Sequence, residues 1–199
     1  MSKGEQASEA ILNAAEALFL KQGYNGTSMR IIAKAVGYRS VAGLYNHFSD
    51  KEQLFIALLE ARSPYDHIFT AVTSLEGSSA EAFIPIVFET MIAQMEKNMN
   101  FLRLVLIDFL EFNGAHVRDM LDRMQTHMTR FFMRMAQFDD LKTDLPPAAL
   151  VRIMGMQLFG YVITRGLLPP QILNVMTDAE WQEHMMQAVM YGVIKRDEK

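Results

Sequence analysis

Apolar residues recur along residues 8–22 at helical spacing, with Ile11, Leu12, Ala15, Leu18 and Phe19 on one face. Ser8 stands where a cap would start this helix, and Gly23 where a left-handed residue would end it. After an Asn25-Gly26 turn, Thr27 or Ser28 caps a short second helix that points Ile31, Ile32 and Ala35 inward. Ala33, four positions before Gly37, leaves room for two helices to cross steeply through a tight turn. The pattern then predicts a third short helix over 39–47, anchored by Leu44 and Phe48. A capping box of Ser49 and Glu52 opens a fourth helix, with Leu54, Phe55, Leu58 and Leu59 on its inner face. Three short helices joined in this way read as a helix-turn-helix.

Pro64 is expected to end or kink the fourth helix. Beyond it the periodicity predicts helices over about 79–97, 99–112, 116–137, 147–167 and 178–195, the first of them started by Gly77-Ser78-Ser79. Asn113-Gly114, residues 139–147 and Pro169-Pro170 are the breaks. Few runs alternate as strands do, and sixteen methionines, which are strong helix formers, add to the expectation of an all-α fold. The least charged stretch, residues 153–164, is well short of the ~20 apolar residues a membrane span requires. A soluble protein with no membrane partner is expected.

Composition narrows the function classes. Half of the 199 residues are hydrophobic and 21% are charged, which excludes disorder and fits one domain or two small ones. The absence of cysteine excludes a disulfide framework, Cys-based metal sites and thiol catalysis, and fits a reducing cytoplasm. Residues 1–51 carry a formal charge of +2 and residues 52–199 the remaining −6. A pI near 5.7 argues against a sequence-blind nucleic-acid coat and leaves room for a small basic reading head. The chain has none of the dinucleotide, phosphate-loop, nucleophile-elbow or zinc-protease signatures, and no enzymatic activity, cofactor or metal is expected. Glu180 and His184, four apart, read as a surface pair, since two ligands make no metal site.

A more specific pattern runs through residues 8–56. It consists of Ile11-Leu12, Ala14-Ala15, Leu18-Phe19, Gly23-Tyr24 and Thr27-Ser28, then Ile32-Ala33 and Gly37, then Leu44-Tyr45, His47-Phe48, Lys51-Glu52 and Leu54-Phe55. It resembles the DNA-binding domain of TetR-type (TetR/AcrR) transcriptional regulators, with one residue more than the usual spacing between Gly37 and Leu44. The extra residue bears on which positions read bases, and leaves the fold unaffected. The resemblance implies an N-terminal three-helix DNA-binding domain over residues 1–51. A C-terminal helical bundle over 52–199 would then dimerise and bind a ligand.

Within the head, a recognition helix thin enough for the major groove is expected from Ser40, Val41, Ala42 and Gly43, with Arg39 as its long donor. Val41 and Ala42 have the alternative of facing the three-helix core. By resemblance, Tyr45, His47, Lys51 and Thr27 would bind phosphates, with Ser28 and Asn46 beside them. Tyr45 and His47 have the alternative of packing beside Phe48, and Lys51 of being a plain first-turn residue.

The helices 147–167 and 178–195 are apolar around most of their circumference, through Ile153, Met154, Met156, Phe159, Val162 and Ile163 in one and Trp181, Met185, Met186, Val189, Met190, Val193 and Ile194 in the other. They suit a homodimer interface, Gly155 and Gly160 permitting close approach, or else the core of a monomer. The candidate ligand walls are Phe69, Met91, Met95, Phe101, Leu104, Met120, Met124, His127 and Phe131. Asp108, inside an apolar run, either orients a ligand or bonds a neighbouring helix, and His116 and His127 carry the same two readings. The expected function is a ligand-responsive repressor that binds a pseudo-palindromic operator as a dimer and is released by a small, mostly apolar effector. The alternatives are an activator with the same head, or a small-molecule binding protein with weak non-specific DNA affinity.

Overall fold

A computed structural model describes residues 2–74, 77, 79–141 and 146–193. Among these residues the chain is helical and holds no β-strand. It divides into two compact units, residues 1–63 with 98–123, and residues 64–97 with 124–199.

The first unit contains α1 (Lys3–Gln22), α2 (Met29–Val36), α3 (Ala42–Tyr45), α4 (Lys51–Arg62), α7 (Met99–Phe112) and α8 (Ala115–Arg123). Helix α1 starts earlier than its apolar stripe suggests, because Ser2 and Glu5 form a reciprocal capping box. Ser8 therefore lies inside the helix, and its hydroxyl sits 2.9 Å from His47 Nδ1. Asp50, one residue after the expected cap, accepts the Gln53 N–H at 2.8 Å and starts α4. Ser49 donates to it in turn. Arg62 ends α4 just before Pro64, as the break there predicts.

Helix α1 packs on α2, α4 and α7, and α4 also on α7 and α8. The core they enclose includes Ile11, Phe19, Ile32, Leu44, Leu54, Phe55, Leu58 and Leu104. At its centre Phe19, Tyr24, Phe55 and Phe112 meet edge-on or stacked, with ring centroids 4.9–5.7 Å apart. Around it, Arg62 of α4 donates to Glu9, Asn13 and Glu16 of α1; burial would lower the guanidinium pKa, and the two carboxylates together raise it.

The second unit contains α5 (Tyr65–Ser74), α6 (Ala80–Lys97), α9 (Gln125–Met135), α10 (Pro147–Leu167), α11 (Pro170–Leu173) and α12 (Asp178–Val193). Helix α6 is central and packs on α5, α10 and α12. Phe83, Ile84, Val87 and Phe88 of α6 meet Ile68 and Val72 of α5, Leu150, Met154 and Leu158 of α10, and Val189 of α12 in one apolar core. Asp140 closes the start of α6 by accepting the N–H groups of Ala80 and Glu81 at 2.8 and 2.9 Å.

The inward face of α2 is Met29, Ile32 and Ala33, whereas Ile31 and Ala35, expected inward, are exposed, so the apolar stripe of this short helix is rotated by about one residue. Three helix assignments also change. The helix expected over 116–137 is two helices, because Met124 departs from helical torsion (φ −91°, ψ 6°) with no glycine or proline to mark the break. Residues 65–74, not predicted as an element of their own, form α5. The third helix keeps only 42–45. Its first accepting carbonyl is that of Val41, so Arg39 and Ser40 lie in the turn before it. Ser78, Ile194 and the side chain of Val193 lie outside the described residues.

Candidate nucleic-acid interface

The turn between α2 and α3 is built on Gly37, which takes left-handed torsion (φ 87°, ψ 15°). Its N–H bonds the Lys34 carbonyl and the Tyr38 N–H bonds the Ala33 carbonyl, closing α2. The chain then swings Tyr38 back over α3. A Cβ on Gly43 would lie 2.9 Å from the Tyr38 ring, so the smallness of Gly43 serves this packing.

The expected base-reading residues separate by exposure. Arg39, Ser40 and Ala42 are exposed, Val41 and Gly43 are half-buried, and Leu44 is fully buried as the anchor. Tyr45 is 51% exposed, and Asn46 is exposed beside it. The same unit exposes two cations of α2, Arg30 and Lys34, that were not singled out from the sequence. Their positions in a short helix before a tight turn were the available signal.

The residues expected at phosphates are more internally engaged. Thr27 is 1% exposed; its hydroxyl donates to the Gly23 carbonyl at 2.9 Å and accepts from Gln22 Nε2 at 3.3 Å. Ser28 caps α2 by accepting the Ile31 N–H. His47 is half-buried, with Nδ1 against Ser8 and its ring beside Phe48. Lys51 Nζ donates to the carbonyls of Tyr24 and Thr27 at 3.0 and 3.1 Å and lies 3.9 Å from the Tyr24 ring centroid. Burial lowers the Lys51 pKa, with Glu111 opposing. Burial also pushes the Tyr24 phenol up to about 12, assisted by Glu52, Asp50 and Glu111.

The expected ligand walls fall into two groups. Phe101, Leu104, Asp108 and Met120 are buried in the first unit. Phe69, Met91, Met95, Met124, His127 and Phe131 belong to the second, where Phe69 stacks on His127 at 5.7 Å and Met91, Met95 and Phe131 pack against the apolar core. Asp108 bonds a neighbouring helix: His116 Nδ1 is 2.7 Å and the Val117 N–H 3.1 Å from its carboxylate. The signal for that partner was Asn113-Gly114, whose positive φ angles fold α8 back on α7.

On α10, Met154, Leu158 and Val162 point into the core while Met156 and Phe159 are exposed. A Cβ added at Gly155 or Gly160 would meet open space. Tyr191 of α12 is exposed as well. Glu180 forms a capping box with Thr177 at the start of α12, and those bonds lower its pKa. Among the described residues no cluster of three or more His, Asp or Glu is arranged to hold a metal, and no helix is long and apolar enough to cross a membrane.

Comparison with known proteins bears on this head. A family model described as bacterial regulatory proteins, tetR family, matches residues 11–58. Over 50 residues the chain is 42% identical to the HTH-type transcriptional repressor AcnR of Corynebacterium diphtheriae, a stretch covering 25% of this chain and 26% of that one. The match thus spans about a quarter of the length of that relative. The solved structure of a TetR-family transcriptional regulator from Mesorhizobium loti is similar over 98% of this chain and 100% of that one, at 25% identity and a TM-score of 0.70. NalD of Pseudomonas aeruginosa, the secondary repressor of the MexAB-OprM multidrug efflux pump, shares the fold at 23% identity and a TM-score of 0.62, over 97% and 99% of the two chains.

Proposed function

We propose that this chain, which belongs to the tetR family through its N-terminal segment, is a transcriptional repressor that binds a pseudo-palindromic operator as a homodimer and leaves it when a small, mostly apolar effector binds. The reading rests above all on the exposed set Arg39, Ser40, Ala42, Tyr45 and Asn46, presented by α3, the turn before it and the residue that caps its end, within the segment that matches the family. Arg39 is the donor suited to guanine edges, and the small residues beside it let base edges approach. Ser28, Tyr45, Asn46 and His47 serve the backbone, where contacts position the head without reading sequence. Thr27 and Lys51 serve that surface through the α1–α2 turn they hold. Half-buried Val41 and Gly43 set its backbone.

Dimerisation through 147–167 and 178–195 is supported by exposed Met156, Phe159 and Tyr191 and by the open glycine positions of α10. The methionines and aromatics of the ligand walls suit an adaptable apolar effector. Ligand releases the operator to the extent that it binds better to a conformation whose heads no longer match successive major grooves. Selection of genomic fragments by the purified protein tests the reading. Enrichment of an inverted repeat bound by two chains is the expected result, and flat, salt-sensitive binding without an enriched site would overturn it.

A further inference from the structure

Asp108 of α7 has no exposed surface, and a carboxylate so placed needs donors. The Val117 N–H supplies one, and His116 Nδ1, 2.7 Å away, faces the other oxygen. On the far side of the same ring, His116 Nε2 lies 3.2 Å from Glu52 Oε1 in the first turn of α4. One imidazole is thus held between a buried carboxylate and a half-exposed one.

The chemistry of that arrangement depends on a proton. A neutral imidazole has one N–H; spent on Asp108, it leaves the Nε2 lone pair facing the lone pairs of Glu52. An imidazolium donates on both sides. The tie to α4 therefore forms with the second proton and becomes repulsive without it.

The other charged groups on the elements packed here are directed elsewhere. On α4, Lys51 holds the carbonyls of Tyr24 and Thr27. On α7, Glu111 accepts from Asn25 and Arg103 donates to the Leu20 carbonyl. On α8, Arg118 donates to the Asn113 carbonyl and Arg123 to Glu60, while Asp119 and Asp122 are exposed. Phe55 and Phe112 flank the ring without charge, and Tyr24, above them, titrates only near 12. Glu52 and Lys51 are consecutive, so the first turn of α4 is tied on one side to His116 and on the other to the turn that opens α2.

We propose that His116 is a positioning residue for DNA binding. Its protonated ring fixes the first turn of α4, and through Lys51 the α1–α2 turn, in the geometry the head uses on DNA. Operator affinity therefore falls with rising pH once the ring gives up its second proton. The inference rests on the DNA-binding reading above.

The test titrates the full-length protein with the selected operator at constant ionic strength from pH 5.5 to 8.5. Wild type is expected to lose roughly tenfold in affinity across the range, the size of an ordinary coupling between sites. Glu52→Gln leaves the buried pair alone and offers an amide N–H to neutral Nε2, so its affinity holds at the alkaline end and the profile flattens. His116→Gln is flat and weak throughout, with thermal melts reporting its folded fraction. If Glu52→Gln keeps the wild-type profile, or if His47→Gln is what removes the pH step, the inference falls while the DNA-binding reading stands. A chain that selects no DNA site at any pH overturns both.

Discussion

The two units solve the problem of polar and apolar surface differently. In the first, side chains are tied across helices: Arg62 to Glu9 and Glu16, Arg123 to Glu60, Asn100 to Glu16, and His116 between Asp108 and Glu52. Its four-ring cluster is covered on the side of Lys51 by the ammonium itself. In the second unit polar ties at helix ends are prominent, as with Asp140 on α6 and Arg165 against Glu96 and Asp178, and Gln182 of α12 donates across to the Tyr161 hydroxyl of α10. Large apolar side chains there stay in water, among them Met156, Phe159, Ile172, Val175 and Tyr191. The first unit also exposes Phe109 and Leu110, so the contrast is one of degree. It teaches that the head is built as a finished part, while the second unit has the surface of a part that expects company.

The largest effects should come from breaking the first unit. Phe55→Ala is expected to cost about 3–5 kcal/mol in chemical denaturation, and Asp108→Ala about 1–3 kcal/mol because it leaves the Val117 N–H and His116 Nδ1 without their acceptor. Phe159→Ala, an equal truncation on α10 at a residue that keeps 36% of its surface exposed, should cost less, about 1–2 kcal/mol for the isolated chain. Equal costs at Phe55 and Phe159 would erase the contrast. Next, under the proposed function, Phe159→Glu should convert dimers to monomers in sedimentation while leaving the helical signal intact; a dimer that survives it removes α10 from the proposed interface.

Smaller effects sharpen the same contrast. Gly37→Ala forces left-handed torsion on a side chain and should destabilise by about 1–2 kcal/mol. Gly155→Ala meets open space inside a helix and should stabilise the isolated chain by about 0.5–1 kcal/mol. A pH effect belongs to the first unit as well. Because the folded Tyr24 pKa, near 12, lies above the ordinary tyrosine value of 10.0, its contribution is complete below pH 10 and is lost as pH rises from there toward 12. Ultraviolet absorbance of the phenolate should follow that loss, and Tyr24→Phe should remove it.

The helices of the head were legible because their apolar spacing and glycine breaks are local signals, and Gly37 does what its position announced. The break at Met124 was not legible, since no residue near it has a strong torsional preference. The cap moved by one residue at Ser49, where adjacent Asp50 takes the role, and from Ser8 to Ser2, where a Ser2–Glu5 capping box extends the helix before its apolar stripe begins. In the candidate site, the type of residue was readable and its engagement was not. Lys51 and Thr27 look like surface contacts in the sequence, but only the packing of the α1–α2 turn reveals that their polar atoms bond inward. Asp108 announced its need for a partner, and His116 became identifiable only once α8 folded back.

The packing of Tyr38 against Gly43 bears on how such a head would diversify over generations. A side chain gained at Gly43 meets the Tyr38 ring at 2.9 Å and displaces it, so a change there disturbs the turn unless Tyr38 moves or becomes smaller. Arg39, Ser40, Ala42 and Asn46 carry no such debt, since each faces water. Under the proposed function, new operator preferences would accumulate at these four by single substitutions, with Gly43 lagging as an inherited constant.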